Sequence, residues 1–250
     1  MLSKLDTGWF ETPLGQHLLF REQRYFDQAV SDVFGFNAVQ VGLPHIDFLR
    51  NSRIPLRVTC AVEAPAQVLA DPMFLPFEGQ SLDLLLLPHV LEFSSNPHQV
   101  LREAERVLRP EGRLVLAGFN PRSLWGLAHQ LQGNERGYPW NGNFLNISRV
   151  KDWMVLLGLE VAGGSMCCYR PPINRENWLR RLRFMEPAGD RWWAMGGGVY
   201  FLQAVKRVQG MHVILPQWKR SVAPRLLAPA AKVMNSNVIN INKHRISRDL

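Results

Sequence analysis

Asp71–Val115, DPMFLPFEGQSLDLLLLPHVLEFSSNPHQVLREAERVLRPEGRLV, is the stretch that decides the fold. It holds an apolar run from Leu82 to Leu87 and an amphipathic run from Pro97 to Leu108. A Pro110-Glu111-Gly112 turn and a second apolar run, Arg113 to Ala117, follow. Short apolar runs flanking a segment of helical period read as strand, crossover helix, turn and strand, the βαβ unit of a parallel sheet.

Working outward, the same alternation continues. Upstream, Leu18 to Val33 is helical by its apolar spacing and Gly35 ends it. Phe36 to Val41 is a short strand, followed by Gly42-Leu43-Pro44-His45 and a weak helix to Asn51. Leu56 to Val62 is a further strand that ends at Glu63. Downstream, Leu124 to Leu131 is helical, and a polar loop, Gly133 to Asn143, carries Tyr138 and Trp140. Ser148 is placed to N-cap a helix from Arg149 to Leu157 that Gly158 stops. Leu159 to Tyr169 and Val199 to Val205 are strands that pair back on each other as a hairpin. Such alternation predicts a doubly wound, seven-stranded α/β sheet, mostly parallel with the last strand antiparallel. Residues 1–34 are a helical lead-in and 35–208 the sheet domain. Within it, 170–195 is a basic insertion expected to act as a lid, and 209–250 is a basic tail expected to be disordered.

Composition sets bounds on this picture. At 250 residues, 46% hydrophobic and 20% charged, the chain has the make-up of an ordinary globular protein. No window reaches 18 consecutive apolar residues and the N-terminus lacks an uninterrupted apolar core, so neither a transmembrane segment nor a signal peptide is expected, and a cytoplasmic protein is. Cys60, Cys167 and Cys168 are odd in number and two are adjacent, which favours buried thiols; no Cys/His spacing resembles a metal site. The net charge of +8 is confined to one end. From Lys206 onward nine Lys and Arg face one acid, Asp249, and subtracting nine from 29 and one from 21 leaves 20 of each in residues 1–205.

Three positions fall where a doubly wound sheet places its ligand, outside the carboxyl ends of its strands. Gly42 follows the first strand, where backbone approaches a ligand closely. Glu63 ends the second strand 21 residues later, at a spacing suited to a carboxylate that binds two ribose hydroxyls. Asp71 begins the loop before the next strand. Their order favours a nucleotide-like ligand.

The series Asp71…Leu75-Pro76-Phe77, Ser81-Leu82-Asp83, Val90-Leu91-Glu92-Phe93, Asn96-Pro97, Leu101-Arg102-Glu103 and Arg106-Val107-Leu108-Arg109-Pro110-Glu111-Gly112-Arg113-Leu114-Val115 resembles the class I S-adenosylmethionine-dependent methyltransferases, type 11 branch. The resemblance implies a Rossmann-like fold and S-adenosylmethionine as cofactor. It also implies roles for single residues: Glu63 at the ribose, Asp71 and Pro72 at the adenine, and Leu87 and Pro88 beside the methionine moiety. One motif departs. Where the family carries an acid and several glycines, this chain has Gln40-Val41-Gly42-Leu43-Pro44-His45. Only Gly42 matches; Gln40 brings no charge, though its amide suits the amino-acid end of the cofactor. Pro44 has no N–H and a fixed φ.

In-line methyl transfer needs a base only where the acceptor must lose a proton. His89 after the fourth strand and Asn120 after the fifth are the candidates, against the plainer reading of His89 as a packing residue. The acceptor expected is a small molecule. Arginines and tryptophans in 170–195 raise RNA methylation as a further possibility, less favoured than an amphipathic lid. The altered turn raises a catalytically silent binding protein as the rival of another class.

Overall fold

The computed structural model describes residues 5–132, 137–193 and 195–207. The expected tail, 209–250, lies outside the described residues.

Seven strands form one sheet in the order β3-β2-β1-β4-β5-β7-β6. They are β1 (Asn37–Val41), β2 (Leu56–Ala61), β3 (Val68–Leu69), β4 (Leu82–Pro88), β5 (Leu108–Phe119), β6 (Leu159–Cys167) and β7 (Val199–Lys206). β1 to β5 pair in parallel, while β7 runs antiparallel between β5 and β6. This is the doubly wound, mostly parallel sheet the sequence predicts. The two-residue β3 is too short to leave a periodic signal. β5 begins at Leu108, directly after the crossover helix, and its register to β4 jumps from Leu82↔Leu108 to Leu84↔Arg113. The Pro110-Glu111-Gly112 turn sits in that jump, with Glu111 at a left-handed φ of 65°.

Alternation along the central strands divides the core. Leu84 and Leu86 of β4 face one layer, and Leu85 and Leu87 the other. The first layer is covered by α1 (Leu5–Phe10), α2 (Pro13–Ser31) and α4 (Leu124–Gln132), and the second by α3 (Pro97–Val107) and α5 (Ile147–Leu156). α3 supplies Val100, Leu101, Ala104 and Val107, the i, i+1, i+4, i+7 stripe of a helix lying on a sheet. Asn96 caps it through Gln99 N–H, and Pro97 occupies its first turn.

Two local expectations are corrected. No helix follows β1: residues 42–55 form turns, with Phe48, Leu49 and Ile54 buried in the α2 layer. The cap of α5 is Asn146, not Ser148, because Asn146 Oδ1 accepts the N–H of Ser148 at 3.1 Å. Gly158 does end that segment, at a left-handed φ of 75°. All three cysteines are free and buried, and burial lifts the Cys60 thiol to about 11. The insertion holds two short helices, α6 (Glu176–Arg181) and α7 (Met185–Trp192).

Candidate active site

The carboxyl ends of β1, β2 and β4 open onto a cleft of about 610 Å³. Gly42 and the turn after it form one wall, Glu63 and Asp71 another, and Val90 with Phe93 the floor beyond β4. Phe10 and Glu11 at the end of α1 and Leu19 on α2 close the far side. These N-terminal residues carry no motif and were not legible as site residues. Thr12 fixes the α1–α2 corner: its hydroxyl donates to Trp9 C=O at 2.7 Å and accepts from Gly15 N–H at 3.1 Å.

Four of the expected cofactor residues, Gly42, Glu63, Asp71 and Pro72, line this cleft together. Gly42 takes a left-handed φ of 85°, which a side chain would strain. The Glu63 carboxylate has no hydrogen bond or ion pair among the described residues. Asp71 is exposed, and its Oδ1 accepts the Met73 N–H at 2.8 Å, which shapes the turn after β3.

The other expected site residues lie elsewhere. Gln40 is buried beneath the turn rather than in the cleft. Its Nε2 lies within 3.2 Å of the carbonyls of Gly42, Leu43 and Ile46, and its Oε1 accepts from Phe48 N–H at 2.9 Å. This one amide replaces a helix as the scaffold of the β1–β2 connection. The N–H groups of Leu43 and His45 have no acceptor among the described residues. Leu87 and Pro88 are buried within the sheet and do not line the cleft. Asn120 is buried as a strand-end brace: Nδ2 donates to the carbonyls of Met195 and Gly197, and Oδ1 accepts from Arg122 N–H.

His89 is fully buried at a φ of 52°, stacked on Phe119 at 4.1 Å between ring centres. Its Nε2 lies 2.5 Å from Glu22 Oε1 on α2, and its Nδ1 lies 3.2 Å from Glu92 Oε1. That same Glu92 oxygen accepts the Phe119 N–H at 2.7 Å. Burial alone would lower the His89 pKa; the two carboxylates outweigh it and raise it to about 10. An imidazolium locked between two acids is no proton acceptor at neutral pH. The cluster instead cross-links α2, the end of β4 and the end of β5.

The insertion packs on the N-terminal helices rather than on the cleft. Leu179 is buried, Asn174 Oδ1 accepts from Leu14 N–H at 3.4 Å, and Glu186 pairs with His17 and Arg21, each at 3.1 Å. A second cleft, about 510 Å³, lies by β6 and is lined by Arg24, Lys151, Ser165 and Tyr169 among others. It holds none of the expected site residues. Among the described residues no group of three His, Cys, Asp or Glu side chains is arranged to hold a metal ion.

Residues 46–116 match the family described as Methyltransferase domain. The Escherichia coli protein YafS, itself uncharacterised, is 34% identical over 63% of this chain and 66% of its own length. A malonyl-[acyl-carrier protein] O-methyltransferase of Laribacter hongkongensis is 34% identical over 38% of this chain and 32% of its length. The chain thus spans less than two thirds of either relative. A Thermotoga maritima S-adenosylmethionine-dependent methyltransferase, described as a possible histamine N-methyltransferase, superposes with a TM-score of 0.57 at 17% identity. That overlap covers 77% of this chain and 95% of the other and shows the shared fold. The motif series of β4, α3 and β5, the strand order and these matches agree: residues 46–116 carry a methyltransferase domain, and the sheet has the class I S-adenosylmethionine-dependent methyltransferase fold.

Proposed function

We propose that the chain transfers a methyl group from S-adenosylmethionine to a small-molecule acceptor, with the cofactor in the cleft between Gly42, Glu63 and Asp71. The observation that carries this is the convergence of Gly42, Glu63, Asp71 and Pro72 on one cleft at the carboxyl edge of the sheet. The residues present suit such a cofactor. Val62, Met73 and Val90 offer apolar surface to a base, Glu63 offers an unengaged carboxylate to hydroxyls, and the Leu43 and His45 N–H groups remain available to an anionic group.

When bound, the cofactor supplies an electrophilic methyl group on a sulfonium centre. The chain's own contribution is binding, orientation and exclusion of water. Glu63 accepts hydrogen bonds from paired hydroxyls, and Asp71 and Pro72 position the base. Phe10 and Leu19 shield the cleft from solvent. Neither His89 nor Asn120 takes part as a base, since both are consumed by internal bonds. The reading therefore favours an acceptor that needs no enzyme base or brings its own.

Calorimetric titration with S-adenosylmethionine and S-adenosylhomocysteine tests the proposal. Saturable heat and a rise in Tm with both ligands are expected; neither at millimolar ligand overturns it. The internal commitment of Gln40, which leaves no acidic partner for the cofactor's ammonium at that position, favours a second reading: a binding protein that keeps the fold without turnover. Cofactor binding without methyl transfer to any member of an acceptor panel supports that reading.

A further inference from the structure

Three exposed leucines, Leu124, Leu127 and Leu131, stand at i, i+3 and i+7 on α4 and so share one helix face. Trp125, between them, is buried on the opposite side. A surface helix of a soluble domain normally turns such a stripe inward. Here the stripe is outward, and Leu131 is 79% exposed.

A second set of apolar side chains lies in the neighbouring insertion. Trp192 and Trp193, at the end of α7, are 79% and 69% exposed, and Phe184 and Met195 are also exposed. The two sets belong to one part of the molecule. Asn120, just before α4, donates to the carbonyls of Met195 and Gly197, and Trp125 Nε1 donates to Arg170 C=O at 2.9 Å. Interleaved with the aromatics are Arg175, Arg180, Arg181, Arg183 and Arg191, all exposed. Of the three acids in that segment, Glu186 is buried in its ion pairs with His17 and Arg21, which leaves exposed Glu176 and Asp190 against the five exposed arginines. The solvent side of the insertion is therefore cationic as well as apolar.

We propose that α4 and the 176–195 segment form a surface that docks on an anionic lipid bilayer. Tryptophans suit the headgroup level, aliphatic side chains the acyl boundary below it, and arginines the anionic headgroups. No described helix is long and apolar enough to cross a membrane, so the geometry is that of a protein lying on the surface. A single-stranded RNA is the less suitable occupant. Bases stack on aromatics and pair with arginine, but a stripe of three leucines gives them nothing. The surface adjoins the carboxyl edge of the sheet and rests on α2, a wall of the cleft. Resting on the methyltransferase reading, this points to an acceptor of apolar, membrane-partitioning character.

Co-sedimentation of the full chain with vesicles tests the docking without cofactor, so its outcome is independent of methyl transfer. Vesicles of phosphatidylcholine alone are compared with phosphatidylcholine mixed with phosphatidylglycerol. The double variants Trp192→Ala/Trp193→Ala and Leu127→Ser/Leu131→Ser alter only exposed side chains and keep the basic residues after Lys206. Binding to the anionic vesicles is expected for the parent, weakened about tenfold by either double variant at unchanged Tm. Failure of the parent to bind overturns the proposal. So does binding by either variant as tight as the parent's, which would assign the attraction to charge alone. Binding of single-stranded RNA that the tryptophan variant loses, with no vesicle binding, would assign the surface to nucleic acid instead.

Discussion

Glu63 and Asp71 are both carboxylates on the cleft, but they stand in different local settings, and their variants separate accordingly. Among the described residues Glu63 has no internal partner, so Glu63→Ala is expected to remove only what a ligand feels. A lost charge-assisted hydrogen bond corresponds to roughly 10- to 100-fold weaker S-adenosylhomocysteine binding, read by calorimetry at unchanged Tm. Asp71 also accepts the Met73 N–H. Asp71→Asn keeps that turn and Asp71→Ala does not, so only the alanine variant is expected to lose stability as well as affinity. His89 belongs to stability alone. Its folded pKa of about 10 lies above the ordinary 6.5, so the folded state holds its proton more tightly. The stabilisation from that proton is complete below about pH 6.5 and is lost as pH rises through 10. Urea unfolding between pH 6 and 10 is expected to show falling stability that His89→Leu flattens. That variant, by leaving Glu22 and Glu92 face to face without their cation, is expected to lose about 3–5 kcal/mol at pH 7.

The elements that sequence made legible are those whose pattern is local. β4, α3 and β5 follow from one apolar run, one amphipathic stripe with its Asn96-Pro97 start, and one turn. The β1–β2 connection was not legible. Its residues after Gly42 are apolar enough to suggest a helix, yet the turn is held by Gln40, which precedes it and bonds to carbonyls up to six positions away. A side chain that organises a loop leaves no periodicity. Likewise, the His89 cluster joins Glu22 to a residue 67 positions later, and α1 reaches the cleft without any motif to mark it. Gly42, Glu63 and Asp71 were legible as candidates because they sit at or just beyond strand ends, where topology alone points to a ligand; Pro72, Gln40, Leu87 and Pro88 came from the resemblance, and of these only Pro72 lines the cleft. The turn yields a direct expectation. Gln40→Leu leaves three carbonyls and the Phe48 N–H without their partner, costing on the order of 1–3 kcal/mol in urea unfolding. The same change is expected to weaken cofactor binding while Gln40→Glu, which keeps the acceptor for Phe48 but not the donors, falls between.

At the scale of the molecule, the described residues all fall within one compact unit. A chain ending at Gly210 is expected to keep the Tm of the full chain, measured by circular dichroism. Its charge balance is expected to fall close to neutral, because residues 1–205 carry 20 basic and 20 acidic side chains out of totals of 29 and 21. Loss of more than a few degrees in Tm would overturn that expectation. The strand order carries a further consequence for synthesis. Among the described strands β6 hydrogen-bonds only to β7, and β5 has β7 as its outer neighbour, so the last of them to be made sits between two made earlier. Until Val199–Lys206 has left the ribosome, the earlier strands that have emerged wait with an open edge, at the stage when a nascent domain is most exposed to wrong pairing. A message that breaks off before codon 199 yields a sheet split in two, and chaperone attendance on this protein is expected to end only once Lys206 has left the ribosome.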